Sequence, residues 1–144
     1  MLGVGVAAIL CAVAASLYLQ ARPHSSMTVK EIHLGAGAVS VDVADTEALR
    51  EQGLSGRTNL PEGKGMLFVF ETDGTWGIWM KDMLFPIDIV WADSSGAVLT
   101  VAAEVSPDSY PEVFFPSAPA RYVLELPAGY AASHGIAEGA KIVI

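Results

Sequence analysis

From Thr28 to the C-terminus the chain is a succession of short apolar or alternating runs, each cut off by Gly, Pro, Asp or Ser. Such a pattern has no room for long helices between strands, and so argues against a doubly wound fold. Val39, Val41 and Val43 alternate with Ser40 and Asp42, the signature of a half-buried strand. Strands are also expected at 28–34, 66–70, 77–80, 87–92, 97–105, 121–126 and 141–144. Gly35 and Gly37 suit a hairpin between the first two, and Asp93-Ser94-Ser95-Gly96 suits another. Only two short helices fit. One follows a cap at Asp45 or Thr46 and ends at Gly53, with Ala48 and Leu49 toward the core; the other lies within 128–135. Pro107, Pro111, Pro116 and Pro119 mark 106–120 as a long ordered loop. The expected fold is mainly β: a compact antiparallel sandwich or barrel of about eight short strands with two short helices.

Composition separates a second part from this domain. The chain has 144 residues and 52% of them are apolar. Much of the excess lies in 2–19, LGVGVAAILCAVAASLYL, which carries no charge. As a helix it would span about 27 Å, close to the hydrocarbon core of a bilayer. Residues 1–22 therefore read as a signal peptide or an N-terminal membrane anchor, 23–28 as a linker and 29–144 as a single β domain. The expected location is periplasmic, or membrane-anchored with the domain outside the cytoplasm. Arg22 follows the apolar run and no Lys or Arg precedes it, an arrangement that neither reading explains well.

Charge and residue types exclude several functions. A net charge of −8 argues against nucleic acid, which needs clustered Lys and Arg. The single Cys, Cys11, rules out an intrachain disulfide. His24, His33 and His134 are scattered, without metal-ligand spacing, so no metal and no cofactor is expected. Ser55 in Gly53-Leu54-Ser55-Gly56 only superficially resembles a nucleophile elbow.

Three strings in order, ADTEALREQGLSGRTNLPEGKGMLFVF, WMKDMLFPIDIVWAD and PARYVLELPAG followed by GIAEGAKI, resemble the DUF-192 family. The resemblance covers about residues 28–144. It implies a small, mainly β domain, often behind a signal peptide, with no established activity. The family string W-M-K-N-T-x-x-P-L-D here has Asp82 in place of the amide and Met83 in place of the hydroxyl.

The residues with chemistry to offer cluster around that string. Arg57, Trp79, Lys81, Asp82 and Asp88 are the candidate ligand-binding set, and no catalytic residue is assigned. Pairing of Arg57 or Lys81 with Asp88 would orient the turn between the strands at 77–80 and 87–92. The same cations could hold an anionic or carbonyl-bearing ligand. Among the aromatics, Trp76 is the expected exposed tryptophan, with Tyr110, Phe114 and Phe115 a second exposed group. The function expected is a non-enzymatic module that binds a small polar ligand or an envelope protein. A small enzyme using Arg57, Lys81 and Asp88 is one alternative. A structural accessory held at the membrane by residues 2–19 is another.

Overall fold

The computed structural model describes residues 27–35 and 37–144. The expected leader or anchor, with Cys11 and His24, lies outside the described residues.

The strands are β1 (Thr28–Leu34), β2 (Gly37–Ala44), β3 (Lys64–Gly74), β4 (Ile78–Trp79), β5 (Ile87–Ala92), β6 (Val98–Val105), β7 (Val113–Phe114), β8 (Ala120–Pro127) and β9 (Ile142–Val143). Among the described residues the helices are α1 (Glu47–Gln52) and α2 (Tyr130–Ser133). Thr46 caps α1 by accepting from the Leu49 amide, and Gly53 ends it at φ 49°, backbone that disfavours any residue with a Cβ. Leu49 is buried as expected, but Ala48 is exposed.

The fold is mainly β, as the runs of 28–144 imply. Seven strands form one sheet in the order β6-β5-β8-β3-β2-β1-β9. An antiparallel bridge between Ala97 and Lys141 joins the two ends, so the sheet curls back on itself. Ile142 donates to the Gly96 carbonyl at 2.8 Å and Val98 to the Ala140 carbonyl at 2.9 Å, fastening the closure. Two details differ from the expected all-antiparallel arrangement. β2 and β3 pair in parallel, because α1 carries the chain back across to the start of β3. β4 leaves the main sheet and pairs with β7, drawn from the proline-rich segment expected to be loop throughout. That segment also holds a 3-10 turn at Pro107–Ser109.

Both faces of the sheet are covered. Ile32, Val41, Leu67, Val90, Leu124 and Leu126 pack on one face with Tyr130 and Ala131 of α2. Ala44, Met66, Phe68, Ile89, Trp91 and Val123 pack on the other with Leu49, Leu54, Met80 and Met83. Successive strand residues alternate between these cores, as the pleat requires. The second face is the one that α1 and the segments around β4 roof over.

Candidate functional site

The site is built on that second face. Asp42 of β2, Met66 of β3, Glu125 of β8 and Ile89 of β5 are register partners in one row across the sheet. Glu125 is buried, and its Oε2 has no hydrogen-bond partner among the described residues. Its neighbours in the row, Met66 and Ile89, are fully buried and apolar, so they cannot solvate a charge. Burial pushes the Glu125 carboxyl up to about 8, against a smaller opposing effect of the Arg57 guanidinium. The side chain is therefore a neutral acid at pH 7, able to donate as well as accept.

Above it opens a cavity of about 630 Å³. Arg50, Glu51 and Gln52 of α1, the 53–55 segment, Phe68, Ile78, Trp79, Lys81, Asp82 and Met83 line it with Glu125. The wall is held together locally. The Ser55 hydroxyl donates to the Lys81 carbonyl at 2.9 Å, and the Gly56 amide donates to the Asp82 carbonyl at 2.9 Å. These two bonds fix the 53–56 segment against the turn after β4. Asp82 sits at φ 56°, in the left-handed region that Asn and Asp tolerate best among residues with a side chain. An acid in place of the amide therefore keeps the turn. Met83 is buried in the second core, so its departure from a hydroxyl trades polarity for packing.

The rim is aromatic. Trp79 is 51% exposed; it lies 5.8 Å from the Tyr110 ring, edge to face, and Lys81 Nζ stands 5.8 Å from its centroid. Tyr110, Val113 and Phe115 are exposed beside it on the β4–β7 ribbon. Trp76, expected to be the exposed tryptophan, instead stacks on Phe70 at 4.2 Å, with Arg50 on that same phenyl ring at 5.1 Å. Its carbonyl also accepts from the buried Trp91 indole at 2.8 Å. A wider depression of about 790 Å³ continues from the cavity past Arg50 toward Trp76 and Phe70.

Of the five residues expected to bind a ligand, Trp79, Lys81 and Asp82 meet at the cavity. Arg57 does not line it; its guanidinium pairs with Asp42 at 2.8 Å, not with Asp88. Asp88 is elsewhere. It shares the face of Val90 and Ala92, opposite to Glu125, and is fully buried. Its carboxylate accepts from the amides of Glu104 at 2.7 Å, Gly129 at 3.1 Å and Ala131 at 2.8 Å. It thus caps α2 and ties that helix to the end of β6, away from the cavity. Pleat parity explains this placement: Asp88 is one residue out of phase with Ile87, Ile89 and Trp91. The residue missed was Glu125, a lone acid between Leu124 and Leu126. Period-two reading alone places it on a wet face, and nothing local signals the roof above it.

His33 and His134, the described histidines, are peripheral. His33 is exposed, 3.8 Å from Glu31, and His134 stacks on Tyr130 at 3.8 Å. Among the described residues, no three His, Cys, Asp or Glu side chains converge as a metal-binding group.

Two crystal structures share this architecture. A protein of Sinorhizobium meliloti 1021, described as a candidate transcription regulator, is 29% identical with a TM-score of 0.78; the match covers 83% of this chain and 95% of that one. A protein of unknown function from Novosphingobium aromaticivorans DSM 12444 is 27% identical with a TM-score of 0.77, covering 85% of this chain and 90% of that one. No curated protein matches the chain. The family model of DUF192, described as an uncharacterized ACR, matches residues 29–144, the whole of the β domain just described, and the chain belongs to that family.

Proposed function

We propose that the domain is a binding module for a small polar ligand, working outside the cytoplasm behind the apolar segment at 2–19. The observation that carries the reading is Glu125: a buried acid among the residues that line a cavity, with no hydrogen-bond partner for its Oε2 among the described residues. Glu125 lines that cavity together with Lys81 and Asp82, so a ligand entering it would meet polar groups on both floor and wall. The lining suits a small molecule, with apolar Phe68, Ile78 and Met83 beside a few polar groups and an aromatic rim. The net charge of −8 works against carrying over the regulatory description of the Sinorhizobium protein as a nucleic-acid function.

The test is a fragment screen by protein-observed NMR on the full-length chain. Small polar fragments should shift amide resonances of 53–55, 79–83 and 124–126 together. A screen whose hits all fall outside those segments would refute the reading.

One observation favours a second reading. A carboxyl with a pKa of about 8 is suited to proton transfer near neutral pH, so a small enzyme could use Glu125 as its acid or base. In that case bound fragments would be converted, and Glu125→Gln would abolish turnover while leaving binding intact.

A further inference from the structure

We propose that the outer face of the β4–β7 ribbon seats in the boundary between headgroups and acyl chains of a membrane that residues 2–19 enter. This contact lies beyond the ligand site and shares with that reading only the apolar segment, taken as a retained anchor. Three observations carry it.

The first is the make-up of the face. Ile78 pairs with Phe114 and Trp79 with Val113, and the pleat sends the two pairs to opposite sides. Ile78 and Phe114 turn inward and pack on the second core. Trp79, Val113 and Phe115 are exposed on the other side. A Cβ on Gly77 would meet the Phe115 ring at 2.6 Å and the Val113 methyl at 2.7 Å, so the bare glycine lets those two side chains close into one surface. Tyr110, also exposed, adds its ring at the edge of Trp79. The wet side of an antiparallel pair is ordinarily polar; this one is aromatic and aliphatic.

The second is what borders it. Trp and Tyr concentrate at membrane–water boundaries, where one end of the ring is apolar and the other wet. Lys81 holds its ammonium 5.8 Å from the Trp79 centroid, at the edge of the face, where a long stem can carry it to lipid phosphates. Asp82, Asp108 and Glu112 are exposed in the same turn and in the segment leading to β7. A second copy of the chain would bring the same acids to the contact, on a molecule of net charge −8. An anionic bilayer would repel them as well. A zwitterionic surface carries no net charge to oppose them.

The third is the tether. Met27, where the described domain begins, packs on the second core, and its Sδ lies 3.8 Å from Arg57 Nη2. Gly56, next to Arg57, donates its amide to the Asp82 carbonyl in the turn after β4. The chain therefore enters the domain on the side that carries the ribbon. Residues 20–26 separate the apolar segment from Met27, and such a stretch reaches at most about 25 Å. A face this apolar, held this close to a bilayer, meets lipid at high effective concentration.

The test reconstitutes the full-length chain with phosphatidylcholine vesicles, with and without brominated acyl chains, and floats them on a density gradient. Residues 2–19 hold no Trp, so quenching by brominated lipid reports the domain alone. Trp91 is buried and Trp76 is stacked on Phe70, which leaves Trp79 to meet lipid. The chain should float, and brominated lipid should lower its emission by about a third, the share of one indole in three. Trp79→Phe should remove that loss. Phe115→Glu, at an exposed position, should leave the urea midpoint unchanged and cut the quenching at least about twofold. Flotation without quenching, or quenching that survives either substitution, would overturn the docking and leave the anchor in place. Shielding of Trp79 from acrylamide that grows with protein concentration in the absence of lipid would assign the face to a second copy and overturn it too. Failure to float would overturn the anchor and the docking together, with the cavity still standing as a ligand site.

Discussion

Arg57 donates to Asp42 at 2.8 Å, and that bond leaves Glu125, two strands away on the same sheet face, without an ionic partner among the described residues. The guanidinium still lowers the Glu125 pKa, but less than burial raises it. The result is a neutral acid under a cavity instead of a second salt bridge.

Stability should fall as pH rises because of Glu125. Its carboxyl is raised from 4.5 to about 8 in the folded state. Between those values the unfolded chain loses the proton and the folded chain keeps it, so unfolding becomes easier with rising pH. The contribution is intact below about pH 4.5 and lost by about pH 8, and it amounts to a few kcal/mol. Urea unfolding of wild type and Glu125→Gln across pH 4 to 9 checks it. The variant should become relatively more stable as pH increases, and parallel curves would contradict the assignment.

Replacing Arg57 by Met should raise the Glu125 pKa further, since the one opposing charge is removed. The carboxyl carbon shift of Glu125, followed by NMR against pH, reads this directly. The Arg57–Asp42 pair is about a third exposed, so its loss should cost only about 0–1 kcal/mol of stability. An unchanged titration midpoint would contradict the electrostatic coupling.

Asp88 and Lys81 should separate cleanly. Asp88→Ala strips three backbone amides of their acceptor and should cost about 3 kcal/mol or more. Asp88→Asn keeps one acceptor oxygen and should cost less. Lys81→Met lies on an exposed turn and should stay within about 0.5 kcal/mol of wild type. Denaturant midpoints decide between this and a shared site, in which Lys81 and Asp88 would behave alike.

Acrylamide should quench the tryptophans unequally. Trp79 is half exposed, whereas Trp91 is fully buried with its indole N–H bonded to the Trp76 carbonyl. Trp79→Phe should remove most of the accessible component of the fluorescence. If Trp76→Phe removed it instead, the stacking of Trp76 on Phe70 would be wrong.

The closure of the curled sheet depends on Gly96, at φ +82° and facing the Ile142 carbonyl so closely that a Cβ would collide with it. Gly96→Ala should cost about 2 kcal/mol or more and expose the β9 amides to exchange. Hydrogen exchange at Ile142, whose amide bonds to the Gly96 carbonyl, is the sensitive readout.

Much of the domain was legible in the chain. Val39, Val41 and Val43 gave β2 by simple alternation, and Asp93 through Gly96 gave the turn before β6. Thr46 and Gly53 bounded α1 by capping chemistry that is local and therefore visible. β7 was not legible, because Val113 and Phe114 stand among prolines and become a strand only by pairing with Ile78 and Trp79. Three of the five candidate residues fell together because Trp79, Lys81 and Asp82 are near neighbours in the chain, at the end of β4 and in the turn after it.

The two buried acids mark the boundary between what sequence and tertiary structure decide. Asp88 in IDIV and Glu125 in LEL look alike as sequence, each a single carboxylate in an apolar strand. Alternation determined that each shares a face with residues two positions away, because the pleat has period two. Only the tertiary structure decided what covers each face. Asp88 meets amides 16, 41 and 43 residues away and becomes a cap. Glu125 meets Met66, Ile89 and a cavity, and is left as an unpaired acid. The physical reason is that a buried polar group's state is set by its nearest donors, and those donors come from distant parts of the chain.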